Sequence, residues 1–300
     1  MTISFREFPG VLKKPDEMAG PLSLSLAIGR ISVRVEGLSG RMHEKASERY
    51  SANIVKEGQA RHTVSLFKGA ERYLEKPSDG FLKIEEEFRG DKFVMMSHDF
   101  AAAADADLRE GCLLLSDPDD ASSSSIALEN YLLRIFSWLA LRAGGFMLHS
   151  CGLENDGKAY IFFGSSGSGK SAVATMTPGL RILSDDMVLV FPENGRYMAA
   201  STPFWGALAR LTRENIVLPV AGCYRIRKST RTECVDANGP KALGMLLPCC
   251  PFLVGEKIRS DLLVPNLIGF IGKTRVCELY LPLEPEFWEM IKERPENDHD

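Results

Sequence analysis

The sequence of 300 residues contains no C-x-x-C pair. Its seven cysteines stand at 112, 151, 223, 234, 249, 250 and 277, an odd number at irregular spacing. That excludes the usual spacings of structural zinc or a redox dithiol and implies a reducing compartment with buried thiols. The neighbours Cys249 and Cys250 read as core thiols, with a vicinal redox pair as the alternative. A basic surplus is also missing: 36 Lys and Arg face 40 Asp and Glu, for a net charge of -4. Charge therefore gives no reason for a nucleic-acid or acidic-membrane partner. Long unbroken apolar runs are absent too. The richest, "IALENYLLRIFSWLALRAGGF", carries Glu129, Arg134 and Arg142 and reads as a buried helix, not a membrane span. "MTISFREFPG" has neither the basic nor the apolar region of a secretory signal. The expectation is a cytoplasmic protein. No internal repeat is present.

The composition, 45% hydrophobic and 25% charged, is that of a globular chain able to bury a large core. Residues 1–121 read as a β-rich N-terminal region, because "LSLSLAIG" and "ISVRVEGL" alternate apolar and polar side chains. "HTVSLF", "FLKIEEEFRG" and "DKFVMMSH" do so less cleanly, and Arg89-Gly90-Asp91 reads as a hairpin turn rather than an adhesion signal. The polar connector "SDPDDASSSS" precedes a helix expected over about 126–143, with Ser122 to Ser125 as N-caps and Gly144-Gly145 as the stop. Residues 122–292 form the second expected domain, and 293–300 a charged tail.

In that second domain two apolar runs flank Asn155-Asp156-Gly157, a hairpin signal. The second run leads into "GSSGSGKS". After a short helical stretch comes "LRILSDDMVLVFPENGRYMAA": strand, Asp pair, strand, turn, strand. "CYRIRKSTRTECV" reads as a further strand or hairpin, "TRVCELYLPL" as the last strand and "PEFWEMIKE" as a closing helix. Hairpins on both sides of the glycine loop predict an α/β fold with a mixed, largely antiparallel sheet.

Gly164-Ser165-Ser166-Gly167-Ser168-Gly169-Lys170-Ser171 matches G-x-x-x-x-G-K-[ST], the P-loop pattern. Glycines let a backbone curl into a ring of N–H donors, which holds polyphosphate. In that pattern Lys170 places a cation on the terminal phosphates and the Ser171 hydroxyl ligates Mg²⁺. A flexible Gly/Ser linker is the bland alternative, and it leaves Lys170-Ser171 unexplained. Phosphoryl transfer also needs carboxylates for metal and nucleophile. Asp185 and Asp186 follow a β-type run and are the candidates, against the common use of Asp-Asp as a turn or cap. His149 ends "GFMLH". Taken alone it is a core histidine, but its strand should pair with the loop's strand, near the γ-phosphate. Arg210, Arg213, Arg225, Arg227 and Lys228 are either phosphate or acidic-substrate contacts or a solvated charged face. Trp205 and Trp288 read as core residues rather than adenine platforms.

The ordered set "LHSCGL", "GKAYIFFGSSGSGKS" and "RILSDD" resembles the kinase domain of HPr kinase/phosphorylase. That family shares its P-loop fold with phosphoenolpyruvate carboxykinase. The resemblance covers roughly residues 125–290 and extends to "KALGMLLPCCPF" and "CELYLPLEPEFWEMI". It implies that residues 164–171 bind ATP and Mg²⁺. It further implies that Asp185 and Asp186 supply a metal contact, at Asp186, and the base, and that His149 tunes that base. It also implies homo-oligomers. The sequence departs from the family at Ala172, where a Glu follows Lys-Ser in the family, and at Gly206-Ala207 in place of Gly-Glu. It has no Glu-Ile-Arg-Gly segment, so HPr as acceptor and the phosphorolytic direction are not carried over. The expected activity is transfer of the ATP γ-phosphate to a hydroxyl, on Ser of a protein or peptide or on a metabolite. The alternatives are a nucleotide-binding regulatory or assembly module and a carboxykinase-like or phosphorolytic activity through the same loop.

Overall fold

The computed structural model describes residues 17–70, 72–76, 82–89, 92–105, 107–177, 179–206, 214–251, 259–282 and 287–292. The chain divides into two compact units, Met1–Phe136 and Ser137–Asp300, and the division falls inside helix α2 (Ala121–Arg142). Among the described residues no helix is long and apolar enough to cross a membrane.

The first unit is the β-rich region. Strand β1 (Leu22–Ile28) turns through Gly29, at φ 56°, into β2 (Ile31–Leu38). Along β2 the residues Ile31, Val33 and Val35 are buried, while Ser32, Arg34 and Glu36 are half-exposed. That is the period-two pattern of a sheet with one covered face. Strand β3 (His62–Lys68) joins β2 in parallel. The remaining strands are β4 (Glu85–Arg89), β5 (Lys92–Met96), β6 (Phe100–Ala104) and β7 (Glu110–Leu115). The sheet order β1-β2-β3-β7-β6-β5-β4 is mixed, because β3 and β7 also run parallel. Arg89 stands opposite Lys92 in the β4–β5 pairing, and Gly90 and Asp91 of the expected turn lie outside the described residues.

Helix α1 (Gly40–Arg49) is capped by the Ser39 hydroxyl. Helix α2 begins at Ala121 rather than near 126, and its cap is not one of the four serines. The Asp120 carboxylate accepts from the N–H groups of Ser122 and Ser123. A carboxylate does this better than a hydroxyl, since its charge also meets the positive helix end. Tyr131 on α2 donates to His62 Nε2 at 2.9 Å, and His62 Nδ1 donates to the Leu108 carbonyl at 3.0 Å. Gly111 lies so close to the Tyr131 hydroxyl that no Cβ fits there. The buried Arg134 forms an ion pair with Glu86.

The second unit is built on β8 (Phe146–Asn155), β9 (Lys158–Phe163), β10 (Ile182–Ser184), β11 (Met187–Glu193), β12 (Arg196–Ala200), β13 (Val217–Lys228), β14 (Glu233–Asp236) and β15 (Val276–Leu281). Helices α3 (Lys170–Thr175), α4 (Gly239–Leu246), α5 (Val264–Ile271) and α6 (Phe287–Lys292) accompany these strands. The β8–β9 hairpin turns on Asp156 and Gly157, both at positive φ, 51° and 73°. Two successive positive φ values match the right-handed twist of the flanking strands. Strand β9 also pairs with β13 in parallel, so the sheet is mixed. The pairings β8–β9, β9–β13, β13–β12, β12–β11 and β11–β8 form a circuit.

Of the two readings of "CYRIRKSTRTECV", a further strand or a hairpin, the hairpin fails: β15 lies between β13 and β14, parallel to β13 and antiparallel to β14. One face of this sheet is apolar: Phe162, Tyr224 and Leu279 meet Val173 of α3 and Phe287 and Trp288 of α6. Trp288 packs edge-on to Phe162 at 5.6 Å and is a core residue. Trp205 is half-buried.

Candidate functional site

The Gly/Ser loop leaves β9 at Phe163 and enters α3 at Lys170. Gly167 and Gly169 adopt φ 75° and 110°, left-handed conformations that a side chain disfavours. Nothing crowds Gly167, so its need for glycine is conformational rather than steric. Ser168 N–H donates to the Ser165 carbonyl at 3.1 Å, which tightens the bend. Lys170 is buried, and its Nζ curls back to the carbonyls of Gly164 (3.1 Å) and Ser165 (3.3 Å). The Ser168 hydroxyl is sealed from solvent without a hydrogen-bond partner. Ser165, Ser166 and Ser171 are exposed.

Strand β8 carries the loop and the Asp pair on its two sides. Ser150 stands opposite Phe163, the last residue before the loop. On the other side Ser150 N–H donates to the Asp186 carbonyl at 2.9 Å, and His149 stands opposite Met187. Residues 185–186 form a bend between β10 and β11, which interrupts the alternation of faces. Asp186 consequently reaches His149, whose Nε2 lies 3.1 Å from its Oδ1. Both side chains stay open to solvent, at 39% and 42%. Asp185 is buried instead, and its Oδ1 accepts from the Gly206 backbone N–H at 2.9 Å. The sequence thus places two adjacent carboxylates in different environments.

Two thiols locate these groups relative to the loop. Cys151, in the apolar core, is pushed up by burial; the Asp185 charge raises it further and the Lys170 charge opposes this. Asp185 and Lys170 therefore act on one point. Cys249 ends a 3-10 turn, Leu247–Cys249, that packs on β8. Burial raises its thiol, while Arg225, Lys170 and the Gly164 N–H pull it back. Cys249 is half-exposed, unlike the other six free cysteines, which are buried. The expectation of two core thiols holds for Cys250 and fails for Cys249, because the groups that act on it, Gly164 and Arg225, come from remote parts of the chain. In sequence Gly206 stands out only as the residue before the missing acid at Ala207, yet its N–H holds Asp185.

The remaining candidates separate. Arg227 forms an ion pair with Glu278 through Nη2 at 2.9 Å, and Lys228 is exposed. Arg225 stands opposite Phe163 across the β13–β9 pairing. Arg210 and Arg213 lie outside the described residues. Among the described residues no three His, Cys, Asp or Glu side chains converge as a metal site.

A model of the family described as SynChlorMet cassette protein ScmC matches residues 112–226, which include His149, the Gly/Ser loop, the Asp pair and Arg225. The chain is also similar to a solved structure, the Hpr(Ser) kinase/phosphatase from Coxiella burnetii. The identity is 15%, the TM-score 0.28, and the match covers 49% of this chain and 91% of that one. So low a score leaves fold and activity to be argued from the residues. No curated protein matches the sequence.

Proposed function

We propose that this chain is an ATP-dependent kinase that transfers the γ-phosphate to a hydroxyl, on Ser of a protein or peptide or on a metabolite. The observation that carries this reading is the convergence of the Gly/Ser loop, Lys170, Asp185 and the His149–Asp186 pair around strand β8. The loop and Lys170 are the nucleotide-binding element of this reading, a P-loop. The buried, unpartnered Ser168 hydroxyl and the left-handed glycines fit a backbone cradle completed by a ligand.

A carboxylate of the Asp pair takes the proton of the acceptor hydroxyl. The freed oxygen attacks the γ-phosphorus, the bond to the bridging oxygen breaks, and ADP leaves with that electron pair. His149 holds the Asp186 carboxylate in place. Ser171 and Asp186 offer oxygen donors suited to Mg²⁺, which takes one or two protein groups and completes its shell with phosphate and water. When bound, Mg²⁺ neutralises charge on the phosphates.

The test is transfer of label from γ-labelled ATP to candidate peptides and metabolites by the full chain. Transfer by the native protein that disappears in Asp185→Asn or Asp186→Asn supports the reading; undiminished transfer by both variants overturns the base assignment. A second reading, a nucleotide-binding regulatory or assembly module, is favoured by one observation. Lys170 is satisfied by carbonyls of its own loop. Tight ATP binding without turnover on any acceptor would select it.

A further inference from the structure

The strands around the loop align in one row. Asp186 is hydrogen-bonded to Ser150, Ser150 stands opposite Phe163, Phe163 opposite Arg225, and Arg225 opposite Glu278. Neighbouring strands lie about 4.8 Å apart. The Arg225 backbone is therefore one strand from the residue at which the chain enters the Gly/Ser loop, on the side opposite the Asp pair.

Arg225 is half-buried, and among the described residues it has no ion-pair or hydrogen-bond partner. The carboxylate beside it in register, Glu278, is already engaged by Arg227 and by Lys241. A guanidinium partly removed from water without an anion is costly, and its planar fork matches phosphate oxygens. We propose that Arg225 is a second phosphate-binding cation of this site, gripping the same polyphosphate as Lys170. This rests on the nucleotide reading above and adds a residue that the P-loop pattern does not contain. Cys249 agrees with this placement, since the charges of Arg225 and Lys170 and the Gly164 N–H all pull its thiol down against burial. Both cations therefore act on one half-exposed thiol.

The experiment is a titration of the full-length chain with the fluorescent analogue mant-ATP, in native form and as Arg225→Ala, Arg225→Gln, Arg225→Lys and Lys228→Ala. A charge-assisted contact to phosphate is worth about tenfold or more in affinity. Arg225→Ala and Arg225→Gln should weaken binding by at least that factor. Arg225→Lys should fall between them and the native chain, because it keeps the charge and loses the fork. Lys228→Ala, on the same strand but exposed, should bind as the native chain does. Native binding with Arg225→Ala and Arg225→Gln within about twofold of it overturns the role of Arg225 and leaves the nucleotide reading standing. No binding by the native chain overturns the nucleotide reading and this one with it. A variant-free arm covers the case in which the substitutions do not fold. Saturating ATP should slow alkylation of Cys249 by iodoacetamide about tenfold in the native protein, and an unchanged rate counts against a phosphate lying between Arg225 and Lys170.

Discussion

His149 Nε2 lies 3.1 Å from Asp186 Oδ1, although His149 on β8 stands opposite Met187, the residue after Asp186. The bend at 185–186 makes the contact possible. A positioning role for the imidazole predicts that His149→Ala lowers phosphoryl transfer by about a hundredfold. Mant-ATP affinity should change little, because His149 does not belong to the Gly/Ser loop. Equal loss of binding and transfer would reassign His149 to the nucleotide site.

Gly206 presses against the Asp pair. A Cβ there would sit 3.0 Å from Asp185 Oδ2 and 3.4 Å from Asp186 Cβ. Gly206→Ala should displace the Asp185 carboxylate and reduce transfer at least about tenfold, at a stability cost of about 1–3 kcal/mol. Single-turnover kinetics and thermal unfolding measured together separate the two effects. Full activity in this variant would show that the position of Asp185 is not critical.

In the first unit, His62 is buried with both ring nitrogens engaged, and burial lowers its pKa from 6.5 to about 4. The folded state keeps it neutral, so between these values the unfolded chain binds the extra proton. Stability is then fully present above about pH 6.5 and falls as pH drops toward 4, by on the order of 3 kcal/mol. Denaturant melts across this range should show the decline, and His62→Gln should flatten it. An equal slope in both proteins would assign the decline to other groups.

In the Arg134–Glu86 pair the guanidinium is buried and the carboxylate partly so, with 7% and 14% of the side chains exposed. Glu86→Leu alone should destabilise the protein by about 3–5 kcal/mol, because it leaves a buried guanidinium without its carboxylate. Arg134→Met with Glu86→Leu should recover most of that loss. A double variant as unstable as the single one would mean that the pair supplies more than charge neutralisation.

Local patterns told most of the fold. Period-two alternation announced β1 and β2, Asp156-Gly157 announced the β8–β9 turn, and the Gly/Ser run with Lys170 announced the strand–loop–helix passage. Each of these is written within about ten residues of chain. What the sequence did not display is non-local. The cap at Asp120 was hidden among four serines that looked equally able. The parallel pairing of β9 with β13 brings Arg225 beside Phe163 from a distant segment. The same holds for Cys249 against Gly164, which reads in sequence as half of an unremarkable thiol pair.

The insertion of β15 between β13 and β14 has a consequence for biosynthesis. Residues 276–281 supply the strand that joins two segments made earlier, so a nascent chain carries an open sheet edge beside the loop strand until they emerge. Non-local closure of this kind is slow and leaves backbone groups exposed to wrong pairing. Ribosome-stalled chains ending before residue 276 should therefore be protease-sensitive along β13, and release of β15 should be the step that protects it.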